Sequence, residues 1–149
     1  MDSADQITVA RKIDAPVERV FAMLADPDRH PDFDGSESLR GSQTHSVLTE
    51  VGEVFRMDMR REEFGDYQTD NVVTTYQRDV EIGWSPAPAG RPPLGHSYTY
   101  RLEPDGDDRT VVTLTYDWSA VSEPRIRTRL PLVSREELDR SLDLLARAL

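Results

Sequence analysis

Hydrophobic and polar side chains alternate along residues 6–13, and Ile7, Val9, Arg11 and Ile13 fall on one side of that run. A two-residue period predicts a strand. The period then lengthens: Val17, Val20, Phe21 and Leu24 make one apolar stripe at helical spacing. Asp14 stands where an N-cap would accept the free N–H groups of that helix, and Pro16 falls in its first turn, where a missing N–H costs nothing. Asp26-Pro27 repeats the signal for a second short helix, which His30-Pro31 is expected to end. Two helices this short cannot enclose a core, so they must bridge strands of a sheet.

After a polar stretch around Gly35–Thr44 the alternation returns. Phe55, Met57, Met59 and Arg61 share one side of a predicted strand, with Arg56, Asp58 and Arg60 opposite. Phe64-Gly65-Asp66 supplies a turn. From Tyr67 to Trp84 the even positions Asp70, Val72, Thr74, Tyr76, Val80, Ile82 and Trp84 are read as the inward side, with a turn at Arg78-Asp79. Ser85–Pro93 holds four of the ten prolines and is expected to be a hairpin loop, because proline donates no ladder bond. His96, Tyr98, Tyr100 and Leu102 alternate next. Pro104-Asp105-Gly106-Asp107 turns the chain, and Val112, Leu114, Tyr116 and Trp118 alternate in the last strand. Short turns between strands with one apolar side predict an antiparallel meander. The closing segment opens on a capping box, Ser134-Arg135-Glu136-Glu137. Leu138, Leu142, Leu145 and Leu149 then stripe a helix of about 24 Å, long enough to lie across the sheet.

The strand followed by Ile13-Asp14-Ala15-Pro16, then Val20-Phe21, then Leu24-Ala25-Asp26-Pro27 closely resembles the START/SRPBCC superfamily, and within it the polyketide cyclase/dehydrase-like members. The later elements agree in order, so the resemblance covers essentially the whole chain. It implies an α+β helix-grip fold: a curved antiparallel sheet, two short helices after the first strand, and a long C-terminal helix packed across the sheet around a cavity. It does not select an activity, because such proteins include cyclases, lipid carriers, hormone receptors and co-chaperones.

Composition narrows the partners. The 149 residues make one domain's worth, 1–149, and carry 28 acidic against 18 basic side chains, a net charge of −10. Such a surface repels phosphate backbones and anionic headgroups, so neither nucleic acid nor membrane-surface binding is expected. Without cysteine there is no disulfide framework and no thiolate nucleophile or metal ligand. The acidic start, MDSADQ, lacks the basic and apolar regions of a secretion signal, and no apolar run approaches the ~20 residues that cross a bilayer. A cytoplasmic monomer or homodimer is expected.

Candidate chemistry lies on the inner side of the sheet. Tyr76, Trp84, Tyr98, Tyr100 and Trp118 share the inward parity, with Tyr116 beside them. A buried phenol or indole needs a polar partner, so a face this rich in polar-tipped rings suits a cavity for a flat, partly oxygenated ligand. Met57 and Met59 from the sheet, with Leu138 and Leu142 from the helix, complete the expected lining, although a leucine stripe alone reads as core. Cyclisation of a poly-β-carbonyl chain needs a base beside a carbonyl and donors for the enolate. His96 or Asp70 are the candidate bases and Arg61 or Tyr98 the oxyanion donors. Arg125, Arg127 and Arg129 precede Pro131 where the resemblance places the cavity mouth. They suit an anionic ligand group, although pairing with Glu123, Glu136 and Asp139 is the preferred use. His30, Asp32 and Asp34 have metal-ligand residue types but read as cap and turn residues, so no metal is expected and no cofactor is implied. The function expected is binding of a small hydrophobic or aromatic, polyketide- or lipid-like molecule, with cyclase/dehydrase-type chemistry on it a further step. A carrier, a sensor or a client-binding module is the alternative.

Overall fold

A computed structural model describes residues 4–149. Its seven strands are β1 (Gln6–Ile13), β2 (Leu39–Ser42), β3 (Val54–Arg61), β4 (Gly65–Gln77), β5 (Glu81–Pro88), β6 (Ser97–Pro104) and β7 (Thr110–Asp117). They form one antiparallel sheet in the order β1-β7-β6-β5-β4-β3-β2. Consecutive hairpins build β2 to β7, and β1 closes on β7, so Ile7 faces Tyr116 and Val9 faces Leu114 across the ladder. Helix α1 (Val17–Leu24) and a 3₁₀ helix (Pro27–Phe33) cross between β1 and β2. A short α2 (Pro124–Arg127) leads to α3 (Arg135–Ala148), which packs on β1, β7 and the 3₁₀ helix.

Local signals explain most boundaries. The Ser134–Glu137 capping box forms in both directions: Glu137 N–H donates to Ser134 Oγ at 3.2 Å and Ser134 N–H to Glu137 Oε1 at 3.0 Å. Leu138, Leu142 and Leu145 are buried beneath α3. Asp26 caps the 3₁₀ helix through Asp28 N–H at 3.1 Å. Asp14, however, caps nothing. Pro16 itself takes the extended N-cap conformation, and the Asp14 carboxylate lies out in solvent, 3.5 Å from Arg109. Pro31 does not stop the 3₁₀ helix either, which continues to Phe33. Two strand limits also differ from the sequence reading. The polar stretch holds the edge strand β2, and β5 runs on through Ser85-Pro86-Ala87-Pro88 because it still pairs with β4 on its other side.

One irregularity redirects part of the inner face. The β4–β5 register slips between Val73 and Thr75: Val73 faces Trp84 while Thr75 faces Gly83, so Thr74 is the extra residue of a bulge. A bulge exchanges the faces of all residues beyond it. Tyr67, Thr69, Asn71 and Val73 therefore face inward, Tyr76 faces inward on the other side of the bulge, and Asp70 and Val72 face out.

Candidate ligand cavity

The inner face of the sheet does not pack solidly against α3. A cavity of about 250 Å³ remains between β3–β6, the 3₁₀ helix and the start of α3. Met57 and Met59 of β3, Trp84 of β5, Tyr98 and Tyr100 of β6, and Leu138 of α3 line it, as do Arg61 and His96. The other expected lining residues lie elsewhere. Tyr76 sits under α1, edge-on to Phe21 at 5.4 Å and 80°. Tyr116 backs Tyr98 in a parallel stack at 4.7 Å and 14°, and Trp118 leans on Tyr116 at 5.3 Å. Leu142, one turn beyond Leu138, belongs to the closed core. Tyr116, Trp118 and Leu142 fill the β7 side of the sheet, and Tyr76 fills the end of β4 beneath α1.

Asp70 is not a cavity residue. Facing out beyond the bulge, it accepts both prongs of Arg56 at 2.7 and 3.0 Å and Gly90 N–H at 2.8 Å. The Arg56 guanidinium first, and the Gly90 N–H second, hold its carboxyl below the usual range. A carboxylate so engaged is a poor base, and no substrate in the cavity can reach it. The arginines also part company. Arg127 turns away to the Val121 carbonyl (2.6 Å) and Asp5 (3.0 Å). Arg125 stays exposed. Glu123, expected as an ion-pair partner, instead caps α2 through Ile126 N–H. Arg129 alone of the three borders a depression that shares Arg61, Phe64 and Leu132 with the cavity and opens it outward.

The polar groups of the wall sort into two ends. Arg61 points both terminal nitrogens at the Leu132 carbonyl at 3.4 Å and hydrogen-bonds the Tyr67 phenol. The long guanidinium contacts leave N–H capacity for an incoming oxygen. Tyr116 Oη accepts Leu132 N–H at 3.4 Å and is bonded by Tyr98. Burial pushes the Tyr98 phenol well above its ordinary value and raises Tyr67, Tyr100 and Tyr116, so all four act as neutral O–H groups. His30 lies at the opposite end, among Phe33, Phe55 and Trp84, whereas His96 tilts against Tyr116 on the side of Arg61. Burial lowers the His30 imidazole to about 4, although the Leu24 carbonyl, 2.7 Å away, and Asp26 and Asp34 pull the other way. Burial likewise lowers His96, opposed by the Pro86 carbonyl.

The alternation reading missed His30, Phe33 and Asp34, which enter the wall from the 3₁₀ helix. Asp34 does turn the chain as its residue type suggests: one carboxylate oxygen takes Ser36 N–H and Oγ–H, the other Ser38 and Leu39 N–H. Its place beside a cavity had no local signal. Tyr67, Thr69 and Asn71 were also missed, although they alternate as regularly as the even positions chosen in their place.

A family model described as polyketide cyclase/dehydrase and lipid transport matches residues 4–149. Two proteins of Mycobacterium tuberculosis strains, both uncharacterized, are 33% and 32% identical over 115 residues, 75% of this chain and 48% of theirs. The chain spans about half the length of these curated relatives. Among solved structures, a Mycobacterium smegmatis protein superposes with a TM-score of 0.71 at 14% identity, covering 96% of this chain and 89% of that one. A START superfamily protein from the same organism gives a TM-score of 0.66 at 13% identity, covering 97% of each. A Nitrosomonas europaea protein gives 0.70 at 14%, covering 99% and 95%. At these identities the structures speak for the fold alone. The sequence family adds support for a ligand-binding role.

Proposed function

The chain belongs to the polyketide cyclase/dehydrase and lipid transport family, and from that premise we propose that it binds one small, flat, largely apolar molecule in the space between sheet and α3. The cavity itself carries this reading. It is walled by Met57, Met59, Phe55, Trp84, Tyr100 and Leu138, and polar groups interrupt that wall at only a few points. At about 250 Å³ it lies just below the range of roughly 300–1,000 Å³ typical of drug-sized ligands, which favours one or two fused rings over a long chain. Arg61 and the Tyr67 phenol offer donors to a carbonyl or carboxylate oxygen at the end nearest Arg129.

Carriage or sensing accounts for the wall better than catalysis does. An enolising enzyme needs a base poised near the working pH. His30 and His96 are both weakened by burial, Asp70 is outside, and Asp34 is occupied by four donors of its own loop. The acidic, cysteine-free chain suits a cytoplasmic role without nucleic acid. A client-binding module has no use for an internal hollow, so we do not favour it.

Calorimetric titration with 2-methoxynaphthalene tests the proposal against a Thr69→Phe variant. Thr69 faces inward and borders the cavity, so a phenyl group there occupies the ligand's place. Saturable one-to-one binding by the wild type, lost in the variant, is the expected result. Binding that survives the filled cavity, or no binding at all, would overturn the reading.

A further inference from the structure

Asn71 carries a polar group without a partner into the wall of the cavity. Past the bulge it faces inward, where the ladder sets it between Phe55 of β3 and Pro86 of β5. Thr69, two residues back on the same face, lies between Met57 and Pro88. Asn71 is only 6% exposed. Its Nδ2 donates to the Phe55 carbonyl at 3.2 Å and to Thr69 Oγ1 at 3.3 Å. A carbonyl only accepts, so these bonds fix which end of the amide is the amino group and use both of its protons. Oδ1 is left without a hydrogen bond. Among the described residues, the one fully enclosed side-chain nitrogen or oxygen that lacks a hydrogen bond belongs to His96. Asn71 Oδ1 therefore keeps accessible surface, and because the residue faces inward in the wall, that surface opens on the cavity. Thr69 Oγ1 accepts from Nδ2, and its own proton has no acceptor in the protein.

We propose that Asn71 Oδ1 and the Thr69 hydroxyl form a ligand subsite for a neutral ring amide, a lactam whose N–H donates to Asn71 and whose carbonyl accepts from Thr69. This rests on the cavity binding a small flat molecule, and adds the polar edge that molecule presents and the two side chains that meet it. A buried carbonyl oxygen without a donor is costly, and a ligand N–H removes the cost. The two side chains select the chemistry. Acceptor and donor stand on different residues, with the Asn71 amino group between them. A lactam edge carries its donor and acceptor on adjacent atoms and meets both at once, whereas an ether or a ketone meets Thr69 alone. A carboxylate would set its charge against Oδ1 with no cation beside it, since Arg61 stands four residues beyond Met57, the partner of Thr69, and turns to the Leu132 carbonyl. A protonated amine finds one neutral oxygen and no carboxylate, because Asp70 between the two residues faces out to Arg56.

The test compares 2-quinolinone with coumarin, which share a bicyclic shape and a ring carbonyl and differ in that a ring oxygen replaces the lactam N–H. The lactam gives up a hydrated N–H on leaving water, so a preference for it requires an acceptor inside. In calorimetric titration we expect wild-type protein to bind 2-quinolinone about tenfold tighter, one hydrogen bond gained against one lone pair opposed. In Asn71→Leu, which keeps the size and loses the amide, the two probes bind within about twofold of each other. Thr69→Val removes a donor to the carbonyl that both probes carry, so it weakens both and keeps their ratio. Equal or tighter binding of coumarin by the wild type, a lactam preference that survives Asn71→Leu, or wild-type affinities in Thr69→Val would each overturn the subsite while leaving the cavity reading intact. Failure of both probes to bind overturns both. The wild-type comparison decides the matter even where a variant does not fold.

Discussion

His30 lies flat against Trp84, with ring centroids 4.7 Å apart and planes 21° from parallel. Phe33 and Phe55 meet the same imidazole edge-on at 5.2 and 5.3 Å. A residue whose type suggests a surface turn is thus enclosed by rings from two strands and its own helix. Its one observed hydrogen bond runs from the ring to the Leu24 carbonyl. The 3₁₀ helix is therefore fastened to the sheet through a neutral histidine.

This enclosure makes stability depend on pH. The unfolded chain titrates His30 at 6.5, the folded protein at about 4. Above 6.5 both states carry a neutral ring and the contribution is fully present. Between 6.5 and about 4 the unfolded state binds the extra proton, so stability falls as pH falls. The difference amounts to about 3 kcal/mol at 1.36 kcal/mol per unit. His96, also lowered, acts in the same direction. Urea unfolding at pH 7, 5.5 and 4 should show the loss, and His30→Gln should remove most of it. A variant with the wild-type slope would refute the assignment.

The two tryptophans should report differently on ligand. Trp84 borders the cavity, whereas Trp118 lies behind Tyr116 on the far side of the Tyr98 stack. Titration with 2-naphthol should quench wild-type emission and do so equally in Trp118→Phe. Trp84→Phe should lose the response. Quenching carried by Trp118 would mean that the ligand sits elsewhere.

Asp70→Asn should leave probe affinity within twofold of wild type, since the carboxylate holds Arg56 and Gly90 on the outer face. Calorimetry on the variant is the check. A tenfold loss would place Asp70 in the site after all.

Gly35, in the turn after the 3₁₀ helix, lies hard against α3. A methyl group there would stand 2.0 Å from the Glu137 carbonyl oxygen and 2.7 Å from Ser141 N, both backbone atoms that cannot swing aside. Gly35 N–H also donates to Ser141 Oγ at 2.8 Å. Gly35→Ala should cost about 3 kcal/mol by prising α3 from the wall of the cavity. A thermal midpoint within 2–3 °C of wild type, about the shift of a much smaller change, would contradict the close approach.

Much of the architecture was legible one residue at a time. Alternation assigns faces because successive side chains of a strand point opposite ways, and this held for Phe55 to Arg61, for His96 to Leu102 and for Val112 to Trp118. The Ser134 capping box and the Asp26-Pro27 start are short-range hydrogen-bond chemistry, so their residues suffice. Asp14 misled because Ala15-Pro16 can start a helix from either side of the proline, and only the backbone chooses.

What remained was decided between elements. The Thr74 bulge exists because β4 must stay paired with β5 past Gly83. That pairing, not the alternation of β4 itself, sends Asp70 out and brings Tyr67, Thr69 and Asn71 in. The burial of His30 depends on where the 3₁₀ helix docks, and the hollow depends on how far α3 stands off the sheet, a spacing set at contacts such as Gly35 against Ser141. Side-chain direction is a local property of the chain, whereas empty space belongs to the distance between surfaces that sequence order keeps far apart.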